Sequence, residues 1–363
     1  MSVYVHDLSP FIFKFPETAL WGDQFGFRWY GFSYLLGFIC AYHLIVWLAK
    51  RQRAGLTHEM VGDFITYAAV GVLVGGRLGY CIFYDPKLFI SFSSSLPFWK
   101  VLAVNEGGMA SHGGVIGVIV ASVLFASKHG LNYAYLLDLA AITGPIGFFF
   151  GRIANFINGE LVGRVAPADF DYAVKFPSDI LSWPTYEPGR LASLSPVVEK
   201  LGIDSSRWSD MVSHYRTDAS IGDQMYSVLV RITHEISNGN SVLKEAIAPL
   251  LDGRYPSQLL ACLSEGLFSF LVLFFMARKS RKPGMIAGAF GMVYAASRIF
   301  NEQFRQPDLQ IGFQLFDLTR GQWLSIGLFL VGLLLMIFWS RTQSQTVHGW
   351  QKDAGVKVSA RTK

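Results

Sequence analysis

The chain has 363 residues, of which 52% are hydrophobic and only 16% are charged, whereas soluble globular domains carry about 25% charged residues. This composition excludes an intrinsically disordered chain and disfavours a single soluble globule. Aromatic residues make up 15% of the sequence, which suits side chains that meet lipid tails and the headgroup region. The composition therefore predicts a polytopic membrane protein.

The formal net charge of +5 could indicate a nucleic-acid partner. Lys and Arg, however, are concentrated in short runs between apolar segments and in the C-terminal tail, which is the positive-inside pattern of membrane proteins. The cysteines Cys40, Cys81 and Cys262 lie in apolar stretches without metal-ligand spacing, and the histidines show none either. We therefore expect a membrane-lipid environment, no nucleic acid, no metal site and no cofactor.

Seven apolar runs are long enough to cross about 30 Å of hydrocarbon at 1.5 Å per residue. We predict an all-α protein with seven transmembrane helices and no cleaved signal peptide, since no basic n-region precedes the first run. The predicted helices cover residues 29–49, 63–84, 112–127, 132–154, 259–277, 284–304 and 323–340.

Basic clusters follow the first, third, fifth and seventh runs, for example Lys50, Arg51 and Arg53 after the first. These positions lie on one side of a seven-span chain, which predicts an N-terminus outside and a C-terminus in the cytoplasm. The polar stretch between the fourth and fifth runs is then a small extracytoplasmic head, with helices expected at 208–214 and 224–236. The predicted divisions are an N-terminal arm (1–28), helices 1–4 (29–154), a signature segment with the head (155–258), helices 5–7 (259–340) and a basic cytoplasmic tail (341–363).

Charged residues inside the predicted spans are functional candidates, because each costs about 2.5 kcal/mol or more in a membrane. They are Arg77, Asp138, Arg152, Glu265, Arg298 and Glu302. The predicted orientation places all three of these arginines at the outer side, together with Tyr30, His112 and Tyr294. A basic cavity open to the outer leaflet follows, suited to an anionic phosphate or carboxylate headgroup.

Helical spacing sharpens this prediction. Arg152 shares a helix face with Asn155, and Tyr294, Arg298 and Glu302 follow one another at intervals of four. Glu302 is expected to orient Arg298 as an ion pair, although mutual neutralisation in a helix bundle would produce the same pattern.

Three other polar positions have competing interpretations. A structural partner is the simpler explanation for Asp138, and glycine packing explains the sequence around Arg77 as well as a ligand does. His112, which glycines flank, is predicted to act as a general base, because an imidazole exchanges protons near physiological pH.

The segment GRIANFINGELVGR at 151–164 closely resembles the signature of the prolipoprotein diacylglyceryl transferases. Further pieces agree in order: RWYGFSYLLGF at 28–38, GGRLGYCIFY at 75–84, GGMASHGGVIGV at 107–118, YPSQL at 255–259 and SRIFNEQFRQPD at 297–308. The resemblance implies the seven-span topology with the N-terminus outside. It also implies transfer of the diacylglyceryl group of phosphatidylglycerol to the lipobox cysteine of a preprolipoprotein, with release of glycerol phosphate.

By motif position, the residues that match important positions of the family are Tyr30, His112, Arg152, Asn155, Glu160, Gly163, Tyr294 and Arg298. The resemblance implies that His112 accepts the thiol proton while Arg152 and Arg298 hold the phosphate. Asn155 and Tyr30 would then orient headgroup oxygens, and Glu160 would fix Arg152 or Arg164. Arg77 and Glu302 complete the predicted substrate site. We expect a monomer in the bacterial inner membrane, with the site at the outer leaflet.

Some positions depart from the family pattern. The chain has Tyr255 before PSQL where the family commonly has His, and Leu260 and Ala261 where it has Tyr-Glu; Ala154 replaces a glycine of the signature. The head also exceeds the usual length. A diverged paralogue, a non-enzymatic lipid-binding or transport protein, and a docking head on a vestigial enzyme therefore stay open as alternatives.

Overall fold

A computed structural model of the chain describes residues 3–16, 26–52, 54–94, 97–104, 107–307, 312–347 and 349–350. Arg53 and the tail beyond residue 350, which carries most of the last predicted basic cluster, lie outside these residues. Helices dominate. The long ones are α1 (Trp29–Gln52), α2 (His58–Phe83), α3 (Ser111–His129), α4 (Tyr133–Ile157), a helix with a central π-helical turn (Ser257–Met276), a 17-residue helix (Met285–Asn301) and a C-terminal helix (Arg320–Arg341).

Six described helices are long and apolar enough to cross a membrane, by length and composition. They coincide with six of the seven predicted runs, and each begins and ends within about five residues of the prediction. The remaining run, 284–304, forms the helix Met285–Asn301, which is shorter than the others. The fold is thus that of a polytopic membrane protein, as the composition predicts.

The chain divides into two compact units. Unit 1 comprises Met1–Leu36, Gly147–Leu267 and Ala296–Ile326. Much of it is the segment 159–254, whose helices are α5 (Trp183–Tyr186), α6 (Ser195–Glu199), α7 (Ser205–His214), α8 (Ala219–Ser237) and α9 (Ser241–Ile247). The two helices predicted in the head are confirmed as α7 and α8, and the side chains of Asp204 and Asp218 accept hydrogen bonds from their first-turn amides.

The core of this segment is a hydrophobic cluster built around two fully buried tryptophans, Trp183 and Trp208. Trp208 Nε1 donates to the Leu191 carbonyl at 2.9 Å, which satisfies its only polar atom. A small sheet lies beside it: β1 (Tyr4–Val5) pairs in parallel with β4 (Val174–Lys175), which pairs antiparallel with β5 (Gly253–Arg254). A second, two-stranded sheet consists of the antiparallel strands β2 (Phe11–Lys14) and β3 (Gly26–Arg28).

Unit 2 comprises Gly37–Ile146, Phe268–Ala295 and Gly327–Lys363. Its helices α2 and α3 touch along a row of glycines, so close that a Cβ on Gly117 would lie 1.8 Å from the Gly71 carbonyl oxygen. The predicted glycine packing near Arg77 is therefore present. Asp138 accepts backbone hydrogen bonds from Gly284 and Ala287, at 2.8 and 2.7 Å. Its structural partner is thus the N-terminus of a helix, where a carboxylate is favoured.

Candidate functional site

The centre of the site in unit 1 is Glu265, a fully buried carboxylate between two arginines. Its Oε2 accepts from Arg152 Nε at 3.1 Å and Nη2 at 2.8 Å. Its Oε1 accepts from Arg298 Nη1 at 3.1 Å and from Asn301 Nδ2 at 3.3 Å. The side chains of Arg152 and Arg298 are 18% and 15% exposed, so one carboxylate aligns two largely buried guanidinium groups.

Glu265 lies in the π-helical turn Cys262–Phe268. Such turns hold an extra residue, re-aim the side chains around them and occur frequently at functional sites. The next residue, Gly266, packs against the α4 backbone, where a Cβ would lie 2.7 Å from the Phe149 Cα. The close approach of the two helices is what brings Glu265 within reach of Arg152.

Arg298 also forms the ion pair expected from its spacing, with Nη2 to Glu302 Oε1 at 2.6 Å. Glu302 Oε2 accepts from Thr319 Oγ1 at 2.8 Å. Thr319 and Gln322 form a reciprocal capping box, because each side chain accepts from the other residue's backbone amide. The first turn of the C-terminal helix is thereby fixed to the arginine pair through Glu302.

Asn155 links the signature to the start of α1. Its Nδ2 donates to Glu160 Oε1 at 2.8 Å and to Tyr30 Oη at 3.3 Å. Glu160 does not pair directly with Arg152 or Arg164, because the described partners of its carboxylate are Asn155 and Asn158; Asn155 in turn accepts from Arg152 Nη1 at 3.5 Å. Five residues along the chain separate Asn155 from Glu160, and the turn that ends α4 brings them together.

The position of Gly163 accommodates only a glycine, for steric reasons. A Cβ at this position would lie 2.1 Å from the Tyr255 carbonyl oxygen and 2.9 Å from that of Phe304. Two side chains of the YPSQL segment bind the loop before Gly163. Gln258 Nε2 donates to the Glu160 carbonyl at 2.7 Å, and Ser257 Oγ donates to the Leu161 carbonyl at 3.2 Å. The two sequence motifs are therefore parts of one backbone junction.

A buried ion pair supports this junction from the side of the head segment. Arg254 pairs with Asp179 and also donates to the Gly163 carbonyl at 3.0 Å. Burial raises the pKa of the Asp179 carboxyl, and the Arg254 guanidinium opposes that shift. Arg164 in turn donates to the carbonyls of Arg305 and Glu302, at 2.9 and 3.1 Å.

Three predicted site residues belong to unit 2. His112 is exposed in the first turn of α3, and Tyr294 stacks on Phe290 one turn earlier in its helix, with ring centroids 5.7 Å apart. Arg77 is buried and donates to four backbone carbonyls, those of Lys100, Val101, Gly107 and Gly108. These bonds hold the segment that leads into α3.

The structure brings together seven predicted residues in unit 1: Tyr30, Arg152, Asn155, Glu160, Gly163, Arg298 and Glu302. Sequence reasoning recognised Glu265 as an unusual charge in a span and left it out of the site. Thr319 and Gln258 were missed as well. For Thr319 the capping-box spacing to Gln322 was the available signal, but it indicates only a helix start.

The likeness to known proteins covers most of the chain. The family model for prolipoprotein diacylglyceryl transferase matches residues 18–338. A relative from Bdellovibrio bacteriovorus, named phosphatidylglycerol--prolipoprotein diacylglyceryl transferase, is 57% identical over 98% of this chain and 99% of its own length. Relatives of the same name from Rickettsia bellii and Rhodospirillum centenum are each 33% identical, over 91% and 85% of this chain and 95% and 86% of their own. The chain therefore belongs to the prolipoprotein diacylglyceryl transferase family.

Proposed function

We propose that this protein transfers the diacylglyceryl group of phosphatidylglycerol to the lipobox cysteine of a prolipoprotein, the first step of lipoprotein maturation. Its family and the name shared by its relatives support this activity. The observation that carries it is the pair of arginines aligned by the buried Glu265. Guanidinium groups held in a fixed orientation are the side chains best suited to bind a phosphodiester.

The reaction forms a thioether bond between the cysteine sulfur and the terminal glycerol carbon, and breaks the bond from that carbon to the phosphate oxygen. Glycerol phosphate leaves with the electron pair of the broken bond. Arg152 and Arg298 bind the phosphate and stabilise the charge that develops on it. The thiol must lose its proton to become a nucleophile, and His112 accepts it, directly or through water.

The other residues have supporting roles in this proposal. Tyr30 and Asn155, already in contact, orient oxygens of the lipid headgroup, and Glu160 holds the Asn155 amide. Tyr294 contributes to the substrate site from the helix that carries Arg298. We assign Arg77 to positioning the segment before His112, since its guanidinium binds four carbonyls there.

In the membrane, we propose seven spans with the N-terminus outside. The helix Met285–Asn301 supplies the sixth; its 17 residues are about 25 Å long at 1.5 Å per residue, close to the hydrocarbon thickness. The basic clusters of alternate loops support this orientation. The protein is then a monomer in the bacterial inner membrane. Its site faces the outer leaflet, where an anionic lipid and an exported cysteine meet.

The test is mass spectrometry of a synthetic lipobox peptide incubated with the full chain in vesicles that contain phosphatidylglycerol. We expect a diacylglyceryl mass on the cysteine and an equal amount of glycerol phosphate. Vesicles of phosphatidylcholine alone and a Cys→Ser peptide are the controls, and R152Q and H112Q should lose turnover while keeping the elution profile of the folded protein.

The products also separate the alternatives. Glycerol phosphate without a modified peptide would replace the transferase by a lipid hydrolase. Phosphatidylglycerol binding without either product would replace it by a lipid-binding or transport protein. Modification that survives both R152Q and H112Q would refute the site.

A further inference from the structure

The chain after the C-terminal helix folds back onto unit 2. Val347 and Arg281 form an antiparallel bridge, in which the Val347 amide donates to the Arg281 carbonyl at 2.8 Å and the Arg281 amide donates back at 3.2 Å. Two residues later, a Cβ on Gly349 would lie 2.2 Å from the Arg278 carbonyl oxygen. This part of the chain is therefore a strap, bound along the loop that follows the helix Ser257–Met276.

The strap leads to Trp350, whose ring completes an aromatic cluster. The centroid of this ring lies 5.4 Å from that of Trp47 and 5.5 Å from that of Phe274. Trp47 and Phe274 also stack on each other, with centroids 5.8 Å apart. All three side chains are half-buried and pack against the hydrophobic core of unit 2. The cluster thus joins the C-terminal part of α1, the C-terminal part of the helix Ser257–Met276 and the strap.

Two rings of this cluster each carry an arginine. The Cζ of Arg51 lies 5.6 Å from the centroid of the Trp47 ring, and that of Arg278 lies 5.0 Å from the centroid of the Trp350 ring. Both distances are within the range at which a ring attracts a guanidinium group. A ring covers one face of the group and leaves the N–H fork at its edge, which matches the oxygens of a phosphate. Two such forks are therefore held on neighbouring tryptophans.

The charge around the aromatic cluster is positive. Lys50 and Lys279 are exposed next to the two arginines along the chain. Within the part of the chain that the structure describes, none of these four cations forms an ion pair. The buried Asp138 carboxylate of the same unit is already bonded to two backbone amides. An anion from outside the chain is the complement that this surface fits.

We propose that this end of unit 2 binds one anionic phospholipid. Arg51 and Arg278 hold its phosphate, and an acyl chain lies along Phe275, which is 51% exposed and has the Arg278 guanidinium 5.8 Å from its ring centroid. Basic pockets between membrane helices at the cytoplasmic side are known to bind such headgroups. In the orientation proposed above, the site faces the cytoplasmic leaflet. The inference does not depend on the proposed transferase activity.

The test is native mass spectrometry of the full chain in detergent, titrated with phosphatidic acid or with phosphatidylcholine. We expect one phosphatidic acid to bind, and phosphatidylcholine to bind about tenfold more weakly, because it carries no net negative charge. R51Q and R278Q should each weaken binding of phosphatidic acid about tenfold, the usual effect of losing a hydrogen bond between charged groups. W350L, which removes one ring face, should weaken it roughly threefold.

Two controls separate this site from other positive charges. R341Q is the matched control, because Arg341 is exposed at the end of the C-terminal helix of the same unit; it should keep the wild-type affinity within about twofold. R152Q removes one arginine of the site in unit 1. The effects of R51Q and R278Q should be the same in the R152Q background as in the wild type.

Wild-type affinity for phosphatidic acid in both R51Q and R278Q would overturn the proposal. Equal weakening by R341Q would also overturn it, because the effect would then be one of overall charge. If R152Q alone abolishes binding, the lipid is bound by the arginine pair of unit 1 and the proposal fails. If phosphatidic acid binds through Arg51 and Arg278 but the chain modifies no lipobox peptide, the lipid site stands and the transferase proposal fails.

Discussion

Replacing Glu265 by Gln is the sharpest perturbation of the site, because it changes one charge and almost no volume. The carboxylate uses one oxygen for Arg152 and the other for Arg298. An amide keeps an acceptor on one side only and turns an NH2 group toward the other arginine. One guanidinium must therefore lose its bond to residue 265, whichever way the amide lies, and then shifts toward its remaining partner, Asn155 for Arg152 or Glu302 for Arg298.

The structure sets the expected size of the effect. Removing one partner of a buried ion pair lowers the free energy of unfolding by about 3–5 kcal/mol. The arginines here are 18% and 15% exposed and the amide keeps one hydrogen bond. We therefore expect a loss of stability at the lower end of this range, about 3 kcal/mol. A displacement of about 1 Å in a positioning group can cost 100-fold in rate. We therefore expect kcat of E265Q to fall about 100-fold.

The assay is the initial rate of lipobox-peptide modification at several phosphatidylglycerol concentrations, with the apparent Tm in detergent measured alongside. S264A is the matched control, since Ser264 lies beside Glu265 and its Oγ donates to the Leu260 carbonyl; it should retain kcat within about twofold. In a double-mutant cycle, E265Q and R298Q should be strongly non-additive. The reasoning is refuted if E265Q retains wild-type kcat while R298Q abolishes turnover.

Three further outcomes follow from particular contacts. G163A should lower transfer activity at least tenfold, because its Cβ would lie 2.1 Å from the Tyr255 carbonyl oxygen and overpacking of this kind lowers stability by about 1–3 kcal/mol. Unchanged kinetics would show that the backbone junction can accommodate a Cβ. T319V removes the hydroxyl that donates to Glu302 at 2.8 Å, so we expect about a tenfold lower kcat, checked against S325A, whose hydroxyl donates to the Gly321 carbonyl. Burial lowers the pKa of His6, so the folded state binds fewer protons than the unfolded chain. The apparent Tm should therefore fall as the pH drops below about 6.5. In H6F we expect the Tm to fall less than in the wild type between pH 7 and pH 5. An equal fall in the two proteins would contradict this prediction.

Periodicity and length predicted the helices well. The expected runs correspond to helices along the whole chain, and the two helices predicted in the segment 159–254 are present. The ion pair of Arg298 with Glu302 was also predictable, because a spacing of four places both side chains on one helix face. These are local properties, in which the interacting groups are close along the chain.

The site depends on contacts that are not local. Glu265 lies 113 residues from Arg152 and 33 from Arg298, and no local spacing connects three charges that lie on three helices. Glu160 shows the same limit at short range: its expected partner was an arginine, and the turn that ends α4 turns it toward Asn155 instead. The partner of a charged side chain depends on which groups its helix faces.

Composition and motif alone determined that this protein resides in a membrane, where its helices lie and which family it resembles. Apart from the local pair of Arg298 with Glu302, only the tertiary structure decided how its few buried charges are paired. The reason is physical: a buried charge needs a partner within about 4 Å, and the helices that supply the partners are brought that close by packing, here by Gly266 against α4 and Gly163 against the Tyr255 backbone. The small charged fraction of the chain is therefore where its chemistry is concentrated.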